Sequence, residues 1–220
     1  MMKYRTCVHE FQIGKFNISI EKVSNIDELF EALLAKGDAH EDVKDERIPY
    51  WAELWPSALA LSKHMCEMNI EWSGKKILEI GAGLGLPSIV AGKLGGDITV
   101  SDYLPEAVAF SKQNCLRNLH TEGNFIALDW REPNLVEPVD ILLAADIAYE
   151  KRMFPFLPGA FKQLCKSDGL ILLSEPNRAF AKPFFAEMQK NGLKVKQSVQ
   201  VEQSLFGVDY LVNIFEIRLS

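Results

Sequence analysis

Basic charge, cysteine and long apolar runs are all scarce in this chain. Twenty-four lysines and arginines face 30 aspartates and glutamates, a formal net charge of −6. A duplex-binding domain carries a basic surplus, so nucleic acid is not the expected partner. The four cysteines, Cys7, Cys66, Cys115 and Cys165, form no C-x-x-C pair, and none stands beside a histidine at ligand spacing. That pattern argues against a zinc site and against a disulfide framework. Separate reduced thiols fit a reducing, cytoplasmic compartment. The histidines (His9, His40, His64 and His120) are scattered and read as incidental, so no metal site is expected. The longest clean apolar stretch, Ile141 to Ala145, is far too short to cross a bilayer. The opening MMKYRTCVHEFQ lacks the apolar centre of a secretory signal, so neither a membrane nor a secretory route is expected. Repeats and low-complexity tracts are absent as well.

What is present is an ordinary globular composition, 48% apolar and 25% charged over 220 residues. Residues 1 to 23 alternate around Gly14 and read as a β-hairpin with its turn near Gly14-Lys15. Ser24-Asn25-Ile26-Asp27 opens a short helix with Leu29, Phe30, Leu33 and Leu34 on one face. Residues 37 to 49 are polar and read as a linker or flexible loop. From Trp55 onward strands and helices alternate. Helices are expected over Pro56 to Met68, Pro87 to Leu94, Pro105 to Asn118, Phe154 to Cys165 and Ala179 to Lys190. Strands are expected over Ile77 to Ile80, Ile98 to Ser101, Asn124 to Leu128, Val139 to Ala145 and Leu170 to Ser174. A closing pair, Lys194 to Val201 and Tyr210 to Leu219, turns around Gly207.

This alternation predicts an α/β fold with a mostly parallel, Rossmann-like sheet of about seven strands and helices on both faces. About eight residues separate the last two strands, too few for a crossover helix, so one strand at or near an edge is antiparallel. Ligands of such sheets bind at the carboxyl ends of the strands where strand order reverses. The loops after Ile80, Ser101, Leu128 and Ala145 are therefore the candidate site.

Glu79-Ile80-Gly81-Ala82-Gly83-Leu84-Gly85-Leu86-Pro87 leaves the first of these strands. The glycines allow a tight turn and close approach of a ligand to the backbone. A dinucleotide fingerprint would have glycine at Leu86, and Pro87 removes a backbone donor from the helix start. The turn suits a nucleoside ligand without pyrophosphate, and S-adenosylmethionine is the obvious one. Glu79 either accepts hydrogen bonds from the turn or faces the ligand's ammonium group. Asp102, 21 positions after Gly81, is placed to accept both ribose hydroxyls or to cap the following helix. Asp129 is placed to accept from the adenine amino group. Trp130 offers a face to the purine or packs over the sheet edge. Asp146 ends the most apolar strand and Tyr149 follows three residues on. The two form an acidic and aromatic cage for an ammonium group, or else a helix cap and a core tyrosine.

The series Trp-Pro, Glu-Ile-Gly-Ala-Gly-Leu-Gly-Leu-Pro, Ser-Asp, Asp-Trp and Asp-x-x-Tyr resembles the seven-β-strand S-adenosylmethionine-dependent methyltransferases of family 16, a group rich in protein-lysine methyltransferases. The resemblance covers roughly residues 45 to 190. Asp-x-x-Tyr is its more specific mark. Pro49-Tyr50-Trp51, Trp55-Pro56 and Glu175-Pro176-Asn177-Arg178 look most like the branch that methylates the β-subunit of electron transfer flavoprotein. That branch usually has Asp-Pro-Gly-Arg at the second site, so Glu175 and Asn177 depart from it. The resemblance puts cofactor contacts at Trp55, Gly81, Ala82, Gly83, Asp102, Trp130 and Ala145, and the substrate-side motif at Asp146 and Tyr149. Trp55 is otherwise a helix anchor, and Trp51 faces either the substrate channel or the core.

The expected activity is transfer of the sulfonium methyl to a lysine amine of a protein substrate by in-line displacement. A small-molecule N- or O-methyltransferase and a non-catalytic S-adenosylmethionine-binding protein are the alternatives. The expected division is an N-terminal extension over residues 1 to 45 and a methyltransferase domain over residues 46 to 220.

Overall fold

A computed structural model of the chain describes residues 4–119, 123–133, 137–178 and 181–220. His120, and Ala179 at the start of one expected helix, lie outside the described residues. Two strands, β1 (Thr6–Ile13) and β2 (Phe16–Val23), form the expected hairpin. The remaining seven, β3 (Lys76–Ile80), β4 (Asp97–Asp102), β5 (Asn124–Ala127), β6 (Val139–Ala145), β7 (Cys165–Glu175), β8 (Leu193–Leu205) and β9 (Val208–Leu219), build one sheet in the order β5-β4-β3-β6-β7-β9-β8. All neighbours pair in parallel except β9, which is antiparallel to both β7 and β8. The turn joining β8 and β9 is much shorter than the eight residues expected. Phe206 and Gly207 alone make it, both at positive φ (49° and 81°), as a two-residue hairpin turn requires.

The helices are α1 (Ile26–Leu34), α2 (Glu41–Lys44), α3 (Pro56–Glu67), α4 (Leu86–Lys93), α5 (Pro105–Leu119), α6 (Leu157–Leu164) and α7 (Lys182–Lys190). Alternate strand residues feed two cores. Ile141 and Leu143 of β6 join the core under α3, α4 and α5, while Leu142 and Ala144 join the one under α6 and α7. This period of two is why β6 is apolar throughout: both of its faces are covered. Residues 37–49, expected as a linker or flexible loop, contain the short helix α2 and lead into a 3-10 turn over Pro49–Ala52. The start of α6 is also later than expected. A 3-10 turn over Lys151–Met153 and a further turn over 154–156 precede it.

The hairpin adds Ile13, Ile18, Ile20 and Val23 to the α3–α5 core, each worth roughly 1.5–3 kcal/mol of burial. The outer edge of β2 is satisfied in a way the sequence pattern does not reveal. Asn114 accepts from the Glu21 N–H at 2.8 Å and donates to the Glu21 carbonyl at 3.0 Å. One turn later, Asn118 accepts from the Ser19 N–H at 2.9 Å and donates to the Ser19 carbonyl at 2.8 Å. Two residues along a strand advance about 6.6 Å and four along a helix about 6 Å. Two side-chain amides on α5 therefore stand in for a third strand and close an otherwise open edge.

Asn114→Ala leaves the Glu21 N–H and carbonyl without these partners. It is expected to cost about 2–4 kcal/mol in urea unfolding, while Glu31→Ala on exposed α1 stays within about 0.5 kcal/mol.

Candidate active site

Strand order reverses between β3 and β6, and their carboxyl ends open a cleft of about 1100 Å³, solvent at its mouth included. The β3–α4 turn forms its floor. Gly81, Gly83 and Gly85 all have positive φ. At two of them the space is occupied as well. A Cβ on Gly81 would lie 2.8 Å from Cζ2 of Trp130, and one on Gly85 would lie 3.0 Å from Cβ of Ser111.

Two buried carboxylates hold the turn from behind. Glu79 Oε2 accepts from the Ser88 N–H at 2.9 Å and from the Ser88 hydroxyl at 2.5 Å, tying the end of β3 to the first turn of α4. Glu79 does not line the cleft. Of its two expected roles, the structure shows hydrogen bonding to the turn's exit and no contact with the ligand space. Burial pushes its carboxyl up to about 8, with the Ser88 hydrogen bonds opposing. Asp102 does line the cleft. Its Oδ2 accepts from the Gly83 N–H at 2.9 Å and its Oδ1 from the Leu104 N–H at 3.1 Å. Burial raises its carboxyl too, against the pull of these amides.

The other expected residues, Trp55, Ala82, Asp129, Trp130, Ala145, Asp146 and Tyr149, all border the same cleft. Trp130 covers Gly81, and its Nε1 is buried with no partner among the described residues. Trp51 is buried against Phe110 at 5.1 Å between centroids and also borders the cleft, so it serves core and wall together. Trp55 donates from Nε1 to the Tyr50 carbonyl at 2.8 Å. The Tyr50 ring packs edge-on to Trp55 at 5.8 Å and to Tyr149 at 5.5 Å. Tyr50 thus joins an aromatic row along the cleft. It stands in the Pro-Tyr-Trp triplet, but sequence reasoning gave it no role.

Asp129 is already engaged. Arg131 donates from Nε to both its oxygens at 2.9 Å and from Nη2 at 2.6 Å. Burial opposes ionisation, yet these bonds prevail and hold the carboxyl below its ordinary range. Arg131 also reaches Asp45 and the Tyr103 hydroxyl, both at 3.1 Å. The guanidinium groups of Arg47 and Arg131 each lie just over 5 Å from the Tyr103 ring. This clasp fastens the 37–49 segment across the ends of β4 and β5. None of its members was expected from sequence except Asp129.

Asp146 leaves β6 at φ +59°, its N–H bonded to the Ser174 carbonyl at 2.9 Å. No helix starts at it, so it is not a helix cap. Its Oδ1 pairs with Arg178. Its Oδ2 is buried and has no hydrogen-bond partner among the described residues. Burial pushes the carboxyl up, and Arg178 opposes that. Burial also raises the Tyr149 hydroxyl far above its ordinary value, so it stays neutral.

The Glu79 environment has a measurable consequence for stability. An unfolded glutamate ionises near 4.5 and the folded one near 8. Between these values the native state holds the extra proton, so stability falls as pH rises through this window. Glu79→Gln removes the penalty. It is expected to raise Tm above that of wild type at pH 8 and to leave little difference near pH 4.5, as followed by calorimetric melting.

A family model described as "Lysine methyltransferase" matches residues 39–191. The chain is 34% identical over 178 residues to mouse EEF1A lysine methyltransferase 3, covering 78% of this chain and 74% of that protein. It is 37% identical over 136 residues to the bovine protein-lysine methyltransferase METTL21E and 32% identical over 111 residues to the Xenopus laevis histone-arginine methyltransferase METTL23. Those matches span about half of each relative, 46% and 47% of their lengths. Solved structures share the fold at low identity. A Synechocystis magnesium protoporphyrin IX methyltransferase with bound S-adenosylmethionine gives a TM-score of 0.57 at 17% identity, covering 89% of this chain and 92% of that one. A Thermus thermophilus 16S rRNA methyltransferase gives 0.61 at 11%, covering 98% and 51%. A glycine turn, an acidic strand end and Asp-x-x-Tyr around one cleft, matched over most of the chain, lead to one assignment: this chain belongs to the lysine methyltransferase family and carries the S-adenosylmethionine-dependent methyltransferase fold.

Proposed function

We propose that the chain transfers a methyl group from S-adenosylmethionine to a lysine side chain of a protein, in the cytoplasm. The convergence of the glycine turn and Asp102 with Asp146 and Tyr149 on a single cleft carries this reading. The residues present suit the donor. Asp102 spends one hydrogen bond on each oxygen and keeps acceptor capacity for two ribose hydroxyls. Trp130 Nε1, buried with no partner among the described residues, leaves a donor for a nucleoside. The missing side chains of Gly81 and Gly83 let a ligand approach the turn closely, although the Ala82 and Gly83 N–H groups already bond Ser101 and Asp102. Ala145 and Trp55 shape the wall. Asp129, bound by Arg131, contributes only the lone pairs that Arg131 leaves. Glu79 acts at one remove, by holding the turn.

The donor supplies an activated methyl: the amine lone pair forms the N–C bond while the C–S pair returns to sulfur. The chain's task is to hold the amine in line and to exclude water. Asp146 receives the side chain as an ammonium and orients it. One proton must leave to water before attack, because the protonated amine has no lone pair. The aromatic row of Trp55, Tyr50 and Tyr149 lines the approach and disfavours the charged form by desolvation. Residues 46–220 carry the chemistry, and residues 1–45 extend the body beside it.

None of the relatives named above bears the electron transfer flavoprotein name. The mouse relative is named for EEF1A, which makes that protein the first acceptor to try. Labelled S-adenosylmethionine with a whole-cell extract, followed by mass spectrometry of the labelled band, is expected to show methyl-lysine. Label confined to the small-molecule fraction contradicts the reading. Asp146→Asn is expected to lower transfer about a hundredfold or more, with S-adenosylmethionine affinity by calorimetry within a few-fold of wild type.

A further inference from the structure

Asp146 meets two opposed demands. A buried carboxylate needs a counter-charge. A carboxylate that receives an amine must also not trap it as a non-nucleophilic ammonium. The structure divides the two oxygens. Oδ1 pairs with Arg178, and Oδ2 lies buried without a hydrogen bond among the described residues.

The loop carrying Arg178 is itself held in place. Glu175 accepts from the Arg178 N–H. Asn177 adopts φ +55°, a conformation asparagine tolerates better than most residues. The Asn177 side chain accepts from Asn213 Nδ2 at 3.1 Å. Asn213 is buried in β9 and accepts from Gln197 at 3.0 Å and from Gln200 at 2.6 Å. Residues 197 and 200 would face opposite sides of a regular strand. The register shift between Gln197 and Val199 turns both to Asn213. A polar relay thus runs from the edge strand β8 through β9 to the loop that delivers the guanidinium.

We propose that Arg178 is a positioning residue of the methyl-transfer site: it clamps Asp146 through Oδ1 and offsets its charge, leaving Oδ2 to orient the acceptor amine without holding its proton. This rests on the reading of the cleft as a lysine-methylating site. Arg178 suits the task because a guanidinium cannot give up its own proton. The other groups facing Asp146 do not replace it. Glu175 is a second carboxylate, itself raised by burial and turned to the amides of residues 177 and 178. Tyr149, on the same turn, is neutral. Ser57 from α3 offers only a hydroxyl. Asp102, Glu150 and Tyr50 act on Tyr149 and reinforce its neutrality.

The test is a carbon-13 NMR titration of the aspartate carboxyl carbons in the full chain, with Asp146→Asn identifying the Asp146 resonance. Arg178→Gln is expected to raise the Asp146 midpoint by about one pH unit or more, a tenfold change in its ionisation constant. Arg178→Lys is expected to recover most of the shift. An unchanged midpoint in folded Arg178→Gln overturns the proposal. A second measurement needs no variant. n-Butylamine, standing in for a lysine side chain, is expected to move the Asp146 resonance of wild type while the Arg178 side-chain nitrogen signals stay in place. No response at Asp146, or displacement of Arg178 by the amine, overturns the proposal. Failure of the lysine-methylation reading would show instead in wild-type label transfer.

Discussion

The turn that leaves β3 is the constraint on which the cleft depends. Gly81 lies under Trp130 from the end of β5 and against Ile147 beyond β6. Gly83 meets the backbone of Trp51. Gly85 meets Ser111 of α5. A Cβ on Gly81 would press on Trp130 and Ile147 in the cleft wall, and one on Gly85 would press on Ser111 behind the turn, while at Gly83 it is the positive φ that calls for glycine.

Buried carboxylates surround this turn, and each is accommodated differently. Glu79 is pushed toward its neutral form and bonds Ser88. Asp102 draws on backbone amides of the loops it joins. Asp146 has a full counter-ion on Oδ1 and, among the described residues, no hydrogen bond on Oδ2, with only the Ser57 hydroxyl facing the carboxyl besides. Isolated buried charge is costly, so a carboxylate with an open buried oxygen is the one out of balance with its surroundings. That imbalance is what a cationic side chain can relieve, and the proposed acceptor position rests on it.

Two attachments complete the body, and both rely on polar side chains. Asn114 and Asn118 serve the β2 edge as a strand would. Tyr103, Arg131, Asp129 and Asp45 fasten the 37–49 segment over the ends of the parallel strands. Both bring segments distant in sequence against the body that carries the cleft, and the hairpin adds its apolar face to the core under α3, α4 and α5.

The strands, the helices and their alternation were legible because burial imposes periods of two and 3.6 on local sequence. The placement of the glycine turn, Asp102, Trp130, Asp146 and Tyr149 on one cleft was legible because each lies at, or within four residues of, the carboxyl end of a parallel strand. The expected reversed strand beside the sheet edge is β9. The short helix within 37–49, and its attachment to the sheet ends, were not legible because the groups that order it, Tyr103, Arg131 and Arg152, lie far along the chain. Tyr50 and Arg178 were left without roles for the same reason. The extent of β7 to β9 was underestimated because strand ends are set by partners, as with Leu205 against Val208.

The sequence by itself determined which residues stand at the carboxyl ends of the parallel strands, since hydrophobic periodicity marks the strands and their alternation with helices makes them run parallel. Only the tertiary structure decided how their charges are shared. That Glu79 faces away from the cleft, that Arg131 claims Asp129 and that Arg178 takes one oxygen of Asp146 all depend on pairings across the fold. Coulombic and hydrogen-bond energies are set by distances of a few ångströms, and residues far apart in sequence acquire those distances only when the sheet is assembled.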